Sequence, residues 1–147
     1  MFWGCIGWVG VGSLVEVNNN LDSDGYINIL FKYLIPWMNN HSYTTFQQDG
    51  ASCHTSHYSR WWMQTHSIPV LEWTAQSPDL NPIEHICDYL DRQIRKRELL
   101  PTSRKDLIDM LKEEWQKVPL DVVRNLISSM PRRIAAVIKA KEAHTHY

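Results

Sequence analysis

Tyr43-Thr44-Thr45-Phe46-Gln47-Gln48-Asp49-Gly50-Ala51-Ser52 and Asn81-Pro82-Ile83-Glu84-His85 decide how this chain is read, because each brings one carboxylate to the end of a regular element. In the first, an aromatic and β-branched run predicts a short strand that delivers Asp49 as its last side chain before the turn Gly50-Ala51-Ser52. The second opens a helix: Asn81 is a favourable N-cap, Pro82 suits the first helical position, and Glu84, three residues after the cap, lies in the positive field of the helix N-terminus. Two ionised carboxylates of this kind suit a hard cation such as Mg²⁺, which takes few protein carboxylates and fills its other positions with water and phosphate oxygens. Phosphodiester cleavage is the natural use, with two metals roughly 4 Å apart serving the attacking and leaving oxygens. A plainer role fits Glu84 equally on local pattern, as a capping-box side chain reaching back to the Asn81 backbone.

Outward from these acids, β and α segments alternate. Residues 1–7 and 12–17 predict a hairpin about the glycine-rich Trp8-Val9-Gly10-Val11, with Trp3 and Trp8 in the core. Residues 18–21 make a polar turn, after which Asp22, Ser23 or Asp24 caps a helix whose Ile27, Leu30, Phe31, Leu34, Ile35 and Met38 share one face. Pro36 disturbs its final turn and Asn39-Asn40-His41 ends it. Residues 57–65 predict a short helix with Tyr58, Trp61 and Trp62 on one side, and residues 68–73 the next strand. This order favours a mixed sheet with helices on its faces and the acids at element ends.

Beyond Glu84 the pattern is helical. Residues 81–98 place Glu84, Asp88 and Asp91 on neighbouring turns, where Asp88 either approaches a metal or pairs with Arg92, as Asp91 pairs with Arg95. Ser103 and Asp106 cap a helix carrying Leu107, Ile108, Leu111, Trp115 and Val118, which Pro119 ends. Val122, Val123, Leu126 and Ile127 mark another. Pro131 begins a last one, with Ile134, Val137 and Ile138 inward and Arg132, Arg133, Lys139 and Lys141 mostly outward.

The words around the acids carry more than their spacing. Gln47-Gln48-Asp49-Gly50-Ala51-Ser52-Cys53-His54-Thr55-Ser56 and Gln76-Ser77-Pro78-Asp79-Leu80-Asn81-Pro82-Ile83-Glu84-His85 resemble the catalytic signature of the Tc/mariner superfamily of DDE transposases. Thirty-four residues separate Asp49 from Glu84, the interval of the Tc-type branch. Ser129-Met130-Pro131-Arg132-Arg133 and the run from Ala135 to Lys141 look like the family's carboxyl terminus. Cys87 stands where an aromatic is common and Ser52 where proline is frequent, and neither change removes a ligand.

The resemblance implies an α/β, ribonuclease-H-like mixed sheet with helices on both faces, lacking here the first central strand and the third acid that it carries, and followed by C-terminal helices. Residues 1–98 are then a core portion and residues 99–147 a helical extension of one partial catalytic domain. It also implies Asp49 and Glu84 as catalytic metal ligands, Mg²⁺ or Mn²⁺ as cofactor, transposon-end and target DNA as partners, contacts with further transposase subunits, and a nuclear or intracellular setting. With one acid and one strand missing, the chain alone is expected to be inactive and marginally stable.

Composition permits this reading. The 147 residues, 44% hydrophobic with seven Trp, can bury a core. The net charge of −1 hides an asymmetry: residues 1–91 hold Lys32 and Arg60 against nine acids, a balance of −7, whereas residues 92–147 hold thirteen bases against seven acids, a balance of +6. The basic half is either a DNA-facing surface, with Arg92, Arg95, Arg132, Arg133, Lys139 and Lys141 as its candidates, or a set of ordinary solvated helix faces. Cys5, Cys53 and Cys87 show no close pairing pattern, which points to a reducing compartment. The apolar opening carries four glycines and no basic leader, so neither a secretory signal nor a membrane span is expected.

A zinc site from Cys53, His54, His57, His85 and Cys87 has poor ligand spacing. A Ser56-His54-Asp79 triad has no nucleophile elbow. Two functions therefore stand: a metal-dependent DNA strand-transfer enzyme with Asp49 and Glu84 as ligands, or an inactive remnant that only binds nucleic acid or transposase subunits through its basic helices.

Overall fold

A computed structural model describes residues 1–17, 20–42, 45–71 and 80–140. Its contacts divide the chain into two units, one comprising Met1–Trp3 and Val15–Pro78, the other Gly4–Leu14 and Asp79–Tyr147. Strands β1 (Phe2–Gly7) and β2 (Gly10–Glu16) form the predicted hairpin. The turn is tighter than the sequence implied. Only Trp8 and Val9 connect the strands, because Gly10 enters β2 at φ 124°, a conformation that L side chains rarely adopt. Trp3 is buried as expected, but Trp8 lies at the turn and is 48% exposed.

The first unit is built on one long helical run. Asp22 caps α1 (Ser23–Ile29) by accepting from the Gly25 N–H at 2.8 Å; a π-helical segment (Leu30–Leu34) and α2 (Ile35–His41) continue it, and Ser42, at φ 55°, turns the chain out. Tyr26, Leu30, Leu34 and Met38 are buried at intervals of four. In an unbroken α-helix such a stripe drifts about 40° per step, and the wider π turn brings it back into line. The same unwinding leaves Phe31 62% exposed, outside the face predicted for it. Pro36 causes no break, because its fixed φ is helical and, just past the π-helical segment, it costs one hydrogen bond without forcing an end.

Two short helices, α3 (Ser52–Thr55) and α4 (His57–Thr65), pack with α1. Ser56 accepts from the Ser59 N–H at 3.0 Å as the α4 cap, Ser23 Oγ donates to Ser56 Oγ at 2.8 Å, and the fully buried Ser59 Oγ donates to the Cys53 carbonyl at 2.6 Å. Among the described residues, the two strands predicted on either side of these helices meet in one parallel bridge. Phe46 N–H donates to the Pro69 carbonyl and Leu71 N–H to the Phe46 carbonyl, each at 2.8 Å. Asn18, Asn19, Tyr43, Thr44, Glu72 and Trp73, which the sequence assigned to a turn and to strand ends, lie outside the described residues.

The second unit packs α5 (Pro82–Arg95) against α6 (Arg104–Gln116) and α7 (Leu120–Lys139) around Ile86, Leu90, Trp115, Val118 and Val123. Ser103 and Asp106 form the predicted capping box of α6. Hairpin residues join this core: the Trp115 ring lies over Gly4, where an added Cβ would come within 2.9 Å of it, and Trp115 Nε1–H donates to the Gly12 carbonyl at 2.8 Å. Arg97 donates to Glu113 at 2.7 Å and to Glu114, closing the α5–α6 turn.

Helix α7 corrects the sequence reading. It runs unbroken for 20 residues with Pro131 inside it, rather than as two helices divided there. Proline's fixed φ is helical, so it costs a hydrogen bond and some crowding without forcing an end. Its inward stripe is Val123, Leu126, Ile127, Met130, Arg133 and Val137, so Ile134 and Ile138 are 39% and 72% exposed. Among the described residues no helix is long and apolar enough to cross a membrane.

Candidate functional site

Asp49 belongs to the first unit and Glu84 to the second. Asp49 lies three residues past the Phe46 bridge, and its side chain is half exposed. Its Oδ1 accepts twice, from the Ala51 N–H at 3.0 Å and from His54 Nδ1 at 2.6 Å. The first bond is the two-residue Asx turn that this side chain favours. A carboxylate only accepts, so the Nδ1 proton belongs to His54. Oδ2 has no hydrogen-bond partner among the described residues.

His54 is itself supported. Its ring sits on that of Tyr26 with centroids 4.1 Å apart, Tyr26 Oη donates to Gln48 Oε1, and Gln48 Nε2 donates to the His54 carbonyl at 3.4 Å. Tyr26 is fully buried, and burial chiefly, with Cys53 and the Asp49 charge adding, holds its phenol far above the usual range. It therefore stays a neutral donor. No sequence pattern points to Tyr26 or Gln48 in this role; the i+5 spacing of His54 from Asp49 is the one local hint.

Glu84 occupies the first turn of α5 behind the Asn81 cap, whose side chain accepts from the Ile83 N–H at 3.3 Å. Its exposed carboxylate makes no hydrogen bond or ion pair among the described residues, so the reciprocal capping-box bond to Asn81 is not formed. Cys87, one turn on, is exposed, and partial desolvation first, then the charges of Glu84 and Asp88, push its thiol up.

No three His, Cys, Asp or Glu side chains converge as a metal site among the described residues. That removes the Cys/His zinc alternative there; Asp49 and Glu84, taken singly, each offer a hard carboxylate oxygen of the kind that Mg²⁺ or Mn²⁺ takes beside water. Ser56 is spent as a helix cap, and Asp79, the third member of the rejected triad, lies outside the described residues.

The basic residues divide. Arg92, Arg132 and Lys139 are exposed; Arg95 is exposed but pairs with Asp91 at 2.6 Å. Arg133 does not face outward as expected. It is 6% exposed, with Nε donating to Ser129 Oγ at 2.8 Å and Nη1 to His85 Nε2. Lys141 lies outside the described residues.

The family profile described as DDE superfamily endonuclease matches residues 26–108, a span that includes both acids. The chain belongs to the DDE superfamily of endonucleases. Within it the Tc/mariner branch is indicated by the Tc1 transposase of Caenorhabditis elegans, 37% identical, and the Tcb2 transposase of Caenorhabditis briggsae, 34% identical; each alignment takes in 100% of this chain and 54% of the relative. The chain thus spans about half the length of the curated relatives it matches. Among solved structures, the Mos1 transposase catalytic domain with Raltegravir and Mn superposes with a TM-score of 0.80 at 20% identity, covering 95% of this chain and 74% of that one. The Mos1 paired-end complex with the left transposon end gives 0.83 at 18%, covering 97% and 44%. These likenesses establish the ribonuclease-H-like fold class that the motifs implied.

Proposed function

We propose that this chain serves, as part of a Tc/mariner-type transposase, in metal-dependent cleavage of DNA strands and transfer of the freed 3′-hydroxyl, with Asp49 and Glu84 as ligands of Mg²⁺ or Mn²⁺. One observation supports this most: two acids with thirty-four residues between them each keep carboxylate oxygen that no described protein group occupies. A capping or ion-pairing acid would have committed it. The relatives are transposases by name, and a Mos1 neighbour was crystallised with Mn.

In this reading Asp49 and Glu84 supply two negative charges, and the bound cation supplies Lewis-acid stabilisation of charge building on the oxygens around phosphorus. The Asn81-capped start of α5 sets Glu84 in the positive field of the helix N-terminus. Arg92, Arg132 and Lys139 offer phosphate contacts that position DNA without reading its sequence. The setting is nuclear, and further transposase subunits are partners. Residues 1–98 act as the core portion and residues 99–147 as a helical extension.

Calorimetric titration tests the ligand assignment. Mg²⁺ or Mn²⁺ is expected to bind weakly to the native chain and not at all to the double variant Asp49→Asn, Glu84→Gln. Equal binding by both proteins would remove these acids from the metal site.

A further inference from the structure

We propose that His54 is a positioning residue for Asp49: by donating from Nδ1 it pins Oδ1 and so turns Oδ2 outward as the oxygen left for a cation. This rests on the assignment of Asp49 as a ligand. An ionised carboxylate offers about four lone-pair sites, two on each oxygen. The bonds from Ala51 at 3.0 Å and His54 at 2.6 Å fill those of Oδ1 and leave those of Oδ2.

The Ala51 bond alone does not fix the carboxylate, because a half-exposed Asp side chain can turn about χ2 and exchange its oxygens. Two donors converging on one oxygen from different directions remove that freedom. The His54 side chain is 14% exposed against 54% for Asp49, so the donor is held inside while the acceptor meets solvent. Its ring is seated on Tyr26, 4.1 Å away, and Tyr26 reaches Gln48, which returns to the His54 carbonyl. The loop closes through α1, the extended stretch before Asp49, and α3. A carboxylate backed in this way loses less freedom when it takes a cation, and removing such a support typically lowers metal affinity 10- to 100-fold.

Mn²⁺ titration followed by water-proton relaxation separates a donor from mere bulk. His54→Leu keeps the volume without a donor; His54→Asn keeps a donor near the Nδ1 position with less volume. Affinities are referred to the folded fraction from circular dichroism. The expected result is a 10- to 100-fold loss in His54→Leu and affinity within about threefold of native in His54→Asn, a difference of about 0.65 kcal/mol or less. The reverse order, equal losses, or native affinity in both would overturn the proposal. If His54→Leu fails to unfold cooperatively, His54→Asn decides alone, tight binding supporting the proposal and weak binding overturning it. Asp49→Asn runs alongside: loss of Mn²⁺ there with native affinity in both His54 variants defeats the positioning role and spares the ligand assignment, whereas unaltered binding in Asp49→Asn defeats both.

Discussion

Arg132 and Arg133 are neighbours in sequence and opposites in environment. Arg133 is 6% exposed and bonded to Ser129 and His85, so truncation leaves polar partners inside the second unit without their donor. Arg133→Ala should lower stability by about 1–3 kcal/mol in urea denaturation. Arg132 is exposed, and Arg132→Ala should stay within about 0.5 kcal/mol of native. Equal effects from the two would mean that the guanidinium of Arg133 is not held as described. The burial of Arg133 was not legible in the sequence, because a base next to another base on an amphipathic helix reads as solvated. Its place in the inward stripe became visible only once α7 ran through Pro131. Glu84, by contrast, was legible to the turn, since Asn81 and Pro82 fix the register of α5 from inside one short segment. The support beneath Asp49 was not, because Tyr26 lies twenty-three positions away and no local pattern couples them.

At the level of elements, the caps and hairpin followed the sequence while the helix interiors did not. Asp22, Asn81 and Ser103 each start a helix where their side chains can accept from the first turn, a choice made among neighbours. The π-helical segment of Leu30–Leu34 answers instead to packing, which alone rewards keeping Tyr26, Leu30, Leu34 and Met38 in one line. The hairpin depends on α6 in a comparable way. A methyl at residue 4 would meet the Trp115 ring at 2.9 Å and Leu14 Cδ1 at 3.2 Å, with a rigid indole as the nearer neighbour. Gly4→Ala should therefore cost about 1–3 kcal/mol through overpacking, despite its usual benefit to strand formation. Thermal unfolding monitored by Trp fluorescence checks this; a neutral or stabilising Gly4→Ala would show that strand and indole can separate without loss.

For the molecule as a whole, the charge of −1 conceals halves of opposite sign, and the structure thins the basic side further. Arg95 and Arg97 are engaged by acids and Arg133 is turned in. Of the six candidate bases, Arg92, Arg132 and Lys139 are exposed without an ion pair among the described residues, and affinity should fall with salt on a logarithmic slope of about −0.9 for each phosphate neutralised on duplex DNA. Fluorescence anisotropy with unrelated duplexes should show little sequence preference. Charge reversal at Arg132 and Lys139 should reduce the slope by about one to two. A salt-independent affinity, or one unaltered by those reversals, would place DNA on another surface.

The hydrogen bond from Trp115 to Gly12 spans 103 positions of chain. During synthesis at about 5–20 residues per second, the hairpin leaves the ribosome on the order of 5–20 seconds before the indole that covers it. For that interval Ile6, Val11 and Leu14 have no partner helix, and a nascent chain must keep the two strands from pairing with strangers. Chaperone demand should accordingly rise when the hairpin emerges and end abruptly once α6 follows it.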